Sequence, residues 1–211
     1  FEAAMANVNS IAQLSAQELQ QLSDQVLQLA QNPGITQGPA ELAAGLYNIA
    51  ANGFAGADGL QGLEASAIAA TAGLTSSETA ATAITAALNA YGLEADSARS
   101  VSDILFQTVN EGVITFEQLA NNLGNTLAPA ASLGVGLEEL GAAYARLTLS
   151  GVQASQAETQ IAALMRSALN PTEALTSAVQ AQGYASAAAA IEAEGMSGFL
   201  QILTEASGGS Q

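Results

Sequence analysis

Apolar residues along this chain recur at intervals of three and four positions, and polar or glycine-containing segments separate the runs. Leu19, Leu22, Val26 and Leu29 form one such stripe. This spacing places side chains on one face of an α-helix, and no segment shows sustained two-residue alternation. The pattern predicts an all-α bundle of about ten short helices. The predicted helices are 15–31, 39–51, 57–72, 76–91, 95–110, 115–130, 136–149, 155–169, 171–182 and 185–206, the last broken at Gly195.

Several predicted helices are preceded by a start signal. Ser15–Glu18, Thr75–Glu78, Thr115–Gln118 and Ser155–Glu158 have the form of a capping box, in which a hydroxyl accepts from the N–H three positions on. Asn170–Glu173 predicts an Asn cap with proline at the first helical position. Glycine provides stop signals. The predicted stops are Asn32-Pro33-Gly34, Asn52-Gly53, Gly73, Gly92, Glu111-Gly112, Gly134 and Gly151.

The whole of 1–211 is interpreted as a single helical segment of a longer chain. It begins at Phe1 without a basic amino-terminal region, so no signal peptide is visible. A weak internal match pairs Leu42-Ala43 with Leu119-Ala120, 77 positions apart. The match has two explanations, and both stay open. It reflects either an old duplication, with halves of about 15–92 and 93–206, or a chance likeness between helices rich in Ala, Leu and Gly.

The composition removes most routes to catalysis. The chain has no His, Cys or Trp, and its three basic residues are all arginines, Arg99, Arg146 and Arg166. Without His, Cys or Lys there is no nucleophile–base pair, no Schiff base, no phosphate-loop lysine and no Cys/His zinc site. We therefore predict a protein that is not an enzyme, with no catalytic, cofactor-binding or metal-binding residues.

Paired carboxylates are the remaining catalytic possibility. Glu138 and Glu139 are adjacent, but they fall in the first turn of a predicted helix, where acids complement the helix dipole. Glu192 and Glu194 are two positions apart and so face different sides of a helix. Asp58 lacks the further carboxylates of a calcium loop and is interpreted as a helix cap. An enzyme would need two of these acids to converge in a pocket.

The net charge limits the possible partners. Nineteen acidic residues give a formal charge of −16, which disfavours direct binding to nucleic acid or anionic membranes. Two uncharged stretches, Gln118–Leu137 and Ala174–Ile191, contain too many polar residues to span a membrane. Each arginine is expected to pair with a nearby carboxylate. Six aromatic residues, spread one per helix or turn, are expected to anchor the core: Phe54, Tyr91, Phe106, Phe116, Tyr144 and Phe199.

Ten short segments of the chain are notable for their order and spacing. The segments are Ala50–Ala57, Leu88–Leu93, Ser102–Val109, Glu111-Gly112, Thr115–Ala120, Leu123-Gly124, Pro129–Ala131, Leu133–Val135, Leu147–Gly151 and Gly195–Leu200. Their succession resembles the core of tape measure proteins from long-tailed phages and prophages. The resemblance covers roughly 10–206. Its specificity lies in the order and spacing of the segments, since each alone is only a cap, a stop or an apolar stripe.

The resemblance implies a structural role in a phage tail. A member of this family would set tail length during assembly, occupy the tail lumen or tip, and leave before DNA ejection. It also implies contacts with tail tube and tail-tip or baseplate hub proteins, and a homo-oligomer of three or six copies. Frequent stops favour a compact bundle over an extended rod. The alternative is a helical protein-binding module of a tail hub or other assembly, without ruler function.

Overall fold

A computed structural model of the protein describes residues 1–206; the carboxyl-terminal residues 207–211 lie outside the described part. Residues 1–206 form twelve α-helices and a short 3-10 turn at Ala95–Ser97, so the predicted all-α class is confirmed. The helices are α1 Glu2–Ala12, α2 Ala16–Leu29, α3 Pro39–Ala51, α4 Gly56–Gly73, α5 Ser77–Tyr91, α6 Ala98–Glu111, α7 Phe116–Asn122, α8 Gly124–Ser132, α9 Leu137–Leu149, α10 Ala154–Leu169, α11 Glu173–Ala181 and α12 Ala187–Ala206.

Two elements differ from the prediction. Helix α1 was not predicted, because no side chain caps it; Met5 and Val8 hold it against the rest of the molecule by burial. The predicted helix 115–130 is two helices, α7 and α8, which meet at Leu123. In both places tertiary contacts outweigh the local signals that sequence reasoning uses.

Two of the predicted capping boxes are present in full. The Ser15 and Thr115 hydroxyls each accept a hydrogen bond from the backbone N–H three positions on. The Glu18 and Gln118 side chains in turn accept from the backbone N–H of Ser15 and Thr115. The bond to Glu18 lowers the pKa of its carboxyl group, because accepting hydrogen bonds from the side chain and backbone of Ser15 favours the charged form.

The other three start signals were placed wrongly. Helix α5 is capped by Ser76, whose hydroxyl accepts from the Thr79 N–H. Helix α10 begins at Ala154 after Gln153, which gives no side-chain cap, so the hydroxyl of Ser155 lies inside the helix. Helix α11 is capped by Thr172, two positions beyond the predicted asparagine.

The buried apolar side chains form two clusters. The N-terminal cluster is built from α1 to α5 together with Ile35, and its largest members include Leu42, Leu46, Ile49 and Leu63. The C-terminal cluster extends from α4 to α12 and includes Leu105, Phe116, Tyr144 and Phe199. Helices α4 and α5 contribute to both clusters. The division into duplicated halves, 15–92 and 93–206, stays a prediction.

Helix α5 lies at the centre of this arrangement. It packs against α3, α4, α6, α7 and α8. Its buried residues are small or medium in size: Ser77, Ala80, Ala81, Ala83, Ile84, Thr85, Ala87 and Leu88. Small side chains let neighbouring helix axes come close, so one helix can be covered on nearly all sides. The buried alanines of α5 therefore lie where this helix meets its neighbours.

Gly73 shows how tight these contacts are. It ends α4 as predicted, but the left-handed residue that follows is Leu74, with a φ of 51°. Glycine is needed at position 73 for another reason. A Cβ there would lie 2.8 Å from Cβ of Phe116, an atom that cannot rotate away. The contact fixes the end of α4 against the start of α7.

Tyr144 explains why α7 and α8 are separate. In a continuous helix the Thr126 N–H would bond to the Asn122 carbonyl. Here it bonds to the Leu123 carbonyl at 2.9 Å, and the Tyr144 hydroxyl donates to Asn122. Tyr144 is fully buried, and its hydroxyl also contacts the Thr126 hydroxyl at 3.2 Å. A side chain from α9 thus occupies a break in the helical hydrogen-bond ladder.

We expect Gly73→Ala to destabilise the protein by about 1–3 kcal/mol, because the added methyl group overpacks against Phe116. Gly124→Ala is the matched control, since a Cβ at this first position of α8 would meet nothing within 4 Å. That control should stabilise the protein by about 0.5–1 kcal/mol through higher helix propensity. Urea unfolding followed by circular dichroism measures both. Equal effects of the two substitutions would contradict the packing role of Gly73.

Tyr144→Phe is expected to cost about 1–2 kcal/mol, because it removes the hydrogen bond from the buried Tyr144 hydroxyl to the half-buried Asn122 carbonyl. Tyr47→Phe, at a residue 39% exposed, should change stability by less than about 0.5 kcal/mol.

Burial raises the pKa of Tyr144 to about 12 from 10.0. The stability that this shift represents is complete below about pH 10 and is lost as pH rises towards about 12. Unfolding curves that decline identically in wild type and Tyr144→Phe over that range would contradict the assignment.

Candidate partner-binding groove

A groove of about 660 Å³ lies between α9, α10 and the second half of α12. Its floor and walls are mostly apolar. The apolar lining residues are Ala142, Ala143, Ala145, Leu147, Leu149, Ile161, Leu164, Met196 and Leu200, and the polar ones are Glu111, Glu139, Arg146, Ser150, Gln160 and Ser197. A mostly apolar lining favours contact with apolar side chains of an occupant over a small, wholly polar ligand.

The side of α9 that faces the groove has helical spacing. Glu139, Ala142, Arg146 and Leu149 are separated by three or four positions, which places them on one face. Alanine occupies the middle of this face, where a larger residue would fill the gap between α9 and α12. Ala142 and its neighbour Ala143 therefore contribute only small side chains to this part of the lining.

The second wall depends on a break in α12. Gly195 has φ 70° and ψ 177°, a conformation open essentially to glycine alone, so the predicted break at this residue is confirmed. After the break a new helical stretch begins at Met196. The Met196 N–H donates to Oε1 of Glu139, and Phe199 is fully buried. These contacts hold the second half of α12 beside α9.

Glu139 was assigned by sequence only to the first turn of its own helix. It does lie in the first turn of α9 with Glu138. Its carboxylate also caps a helical stretch 57 residues away in sequence. No local pattern connects two such distant positions, so sequence reasoning had no signal for this contact.

One end of the groove is acidic. Glu111 and Glu139 also line an adjoining hollow of about 330 Å³, which Glu138 and Gln107 border as well. Within residues 1–206, no group of three or more acidic side chains is arranged to hold a metal ion. The acids of the two hollows border an apolar surface.

The rim of the groove exposes large apolar side chains. Leu149 is 62% exposed and Leu200 is 48% exposed, on opposite walls. Val113, 70% exposed, lies nearby because its N–H donates to the Thr148 hydroxyl at 3.1 Å. Exposed apolar side chains grouped around a hollow are typical of surfaces that bind another protein.

The arginines lie far apart. The Arg166 Nε donates to the Ala162 carbonyl of its own helix at 3.1 Å, so its partner is backbone and not the expected carboxylate. Arg99 borders a small hollow with Glu64 and Asp96. Arg146 borders the groove. The structure brings none of the three to a common site.

The expected aromatic anchors divide into two sets. Phe116, Tyr144 and Phe199 are fully buried, as predicted. The other three are half-buried and pack against the C-terminal cluster, and these are Phe54, Tyr91 and Phe106. Phe106 stacks on Phe116 with ring centroids 5.0 Å apart.

The remaining acidic candidates have structural positions. Asp58 lies in the first turn of α4, but the cap residue is Ala55, so Asp58 complements the helix dipole and does not cap the helix. The Tyr184 hydroxyl donates to Glu194, and this bond raises the pKa of Tyr184 by favouring its neutral form. No helix in the described part of the chain is long and apolar enough to cross a membrane.

Comparison with known proteins points to phage tails. Residues 23–211 match the family described as phage-related minor tail protein. The chain is 28% identical over 183 residues to a tape measure protein of Pneumococcus phage Dp-1. That alignment covers 87% of this chain but only 16% of the phage protein. No solved structure shows significant similarity to this chain.

Gly195→Ala is expected to release the second half of α12. The substitution requires an unfavourable backbone conformation and places a Cβ 2.7 Å from Oε1 of Glu139. Gly183→Ala is the control, because Gly183 also has a positive φ of 91° but open space around it. We expect a cost of about 1–2 kcal/mol for the control from strain alone, and a larger cost at Gly195.

Hydrogen exchange at the amides of Phe199 and Leu200 measures the release directly. Exchange should accelerate in Gly195→Ala and stay unchanged in Gly183→Ala. Glu139→Gln should accelerate it to a smaller degree, since a charge-assisted bond becomes a neutral one. Equal protection in all four proteins would rule out the Glu139 cap as the contact that holds α12.

Proposed function

This chain belongs to the phage-related minor tail protein family, and on that premise we propose that it is the folded core of a tape measure protein. It is a structural component of a phage tail. The proposal is that the complete protein sets tail length during assembly, occupies the tail lumen or tip, and is released before DNA ejection. The observation that carries the proposal is the match over most of the chain to a tape measure protein.

The bundle supports a globular role within a longer ruler. A single continuous helix of 211 residues would extend roughly 320 Å. The helices here have at most 20 residues and fold back on one another around two apolar clusters. The chain spans about one sixth of the length of the curated relative that it matches. We therefore assign the extended, length-measuring part to other regions of the complete protein.

Charge supports a place beside the path of DNA. The net charge of −16 repels the phosphate backbone, so the bundle would not adhere to DNA that moves past it. The proposed role is non-catalytic, and direct nucleic-acid binding is not part of it. The proposed partners are tail tube and tail-tip or baseplate hub proteins, with three or six copies of the chain in each tail.

The second candidate is a helical module that binds a hub protein without measuring length. The exposed apolar rim of the groove favours this function, because a ruler needs no such surface. Both candidates place the chain in a tail. They differ in whether deletions elsewhere in the complete protein change the length of the tail.

Cryo-electron microscopy of intact particles tests the location. Density for this bundle should lie on the tail axis or at the tip, surrounded by tube or hub subunits, in three or six copies. A bundle found on the outside of the tail, or absent from purified particles, would contradict the proposal.

In-frame deletions separate the two candidates. Removing an extended helical stretch elsewhere in the complete protein should shorten tails by about 1.5 Å per residue if the protein measures length. Removing this bundle should instead reduce the number of tails assembled, since a compact domain contributes little length. Tails of normal length after every deletion would favour the hub-binding module.

A further inference from the structure

We propose that the groove between α9, α10 and α12 receives an amphipathic helix of another tail protein, and that this helix carries Lys or Arg at one end. The attribution to a tail protein rests on the function proposed above, whereas the fit to a basic amphipathic helix rests on the groove itself. Docking of a helix into an apolar groove is a general mode of protein recognition.

The shape of the groove suits a helix of about three turns. Its lining residues on α9 run from Glu139 to Ser150, which corresponds to roughly 16 Å along a helix axis. The other walls are helical too, with Ile161 and Leu164 on α10 and Met196 and Leu200 on α12. A helix placed between these three would complete a small bundle and cover the exposed Leu149 and Leu200.

Charges at the groove give the incoming helix a direction. Glu138 and Glu139 lie in the first turn of α9, and Glu111 lines the adjoining hollow together with them. Arg146 lies two turns further along α9. An incoming helix would complement this pattern with basic side chains at the end near Glu138 and Glu139. Its other end, near Arg146, would carry an acidic side chain or the helix carboxyl terminus.

A second copy of this segment cannot supply the helix. The sequence contains no Lys, and its arginines lie on three different helices, α6, α9 and α10. No helix of residues 1–206 therefore presents two basic side chains. Two copies would also each bring a formal charge of −16 to the contact. The charge pattern of the groove therefore favours a segment of different composition from residues 1–206.

Binding of two designed peptides tests the proposal. Both are amphipathic helices of about 14 residues with the same leucine stripe; one has two Lys at one end and the other has two Glu. Fluorescence anisotropy at low salt should show the Lys peptide binding at least about tenfold more tightly. The preference should shrink as salt screens the exposed charges. Equal affinities for the two peptides would overturn the proposal.

Matched variants locate the binding. Leu149→Ser should lower the affinity for the Lys peptide by about tenfold. The substitution removes an exposed leucine side chain that the bound peptide would bury. Leu74→Ser, at a residue 92% exposed and outside the groove, is the control and should leave affinity unchanged. The double variant of Glu111→Gln and Glu138→Gln should remove the preference for Lys, whereas the double variant of Glu2→Gln and Glu41→Gln should keep it. Binding that is insensitive to Leu149→Ser would place it elsewhere and overturn the proposal.

Crosslinking in assembled tails identifies the source of the helix. A photoreactive amino acid replaces Leu149 in the complete protein, and the crosslinked peptide is sequenced from purified tails. Attachment to a Lys- or Arg-bearing helical segment of a different tail protein supports the proposal. Attachment within the same polypeptide, or to another copy of it, overturns it. Neither result bears on whether the bundle lies in the tail, which microscopy decides separately.

Discussion

The rest of the fold depends on the close approach of helices around α5. This helix can contact α3, α4, α6, α7 and α8 only because most of its buried side chains are no larger than alanine or threonine. Each such contact buries little apolar surface, so stability is spread over many small interfaces and not concentrated in a few large side chains. The two apolar clusters meet at α4 and α5, which makes these two helices common to both parts of the core. A larger residue at their crossings would separate the two clusters.

Two helices of the predicted pattern are interrupted, and a side chain of α9 forms a hydrogen bond at each interruption. Tyr144 takes the Asn122 carbonyl and thereby separates α7 from α8. Glu139 accepts from the Met196 N–H, where Gly195 interrupts α12. The donor Tyr144 and the acceptor Glu139 both belong to α9, so α9 positions two other parts of the chain. Its remaining exposed face, which carries Ala142, Arg146 and Leu149, lines the groove. The candidate binding surface is thus a consequence of the same helix that organises the C-terminal part of the bundle.

The surface chemistry agrees with a structural protein of a phage tail. The chain has no His, Cys or Lys, and its formal charge of −16 disfavours contact with nucleic acid. What the surface does offer is an apolar groove with an acidic end and an arginine further along. Such a surface is suited to an uncharged or basic partner and not to a copy of itself.

The sequence by itself determined the helical class, most helix boundaries, the capping boxes at Ser15 and Thr115, and the break at Gly195, because these depend on neighbours within a few positions. It also determined the charge and the limits on chemistry. Only the tertiary structure decided that α1 forms, that 115–130 is two helices, and that a groove exists beside α9. Burial of Met5, the bond from Tyr144 and the cap from Glu139 join residues that are distant along the chain, and a local pattern carries no information about such contacts.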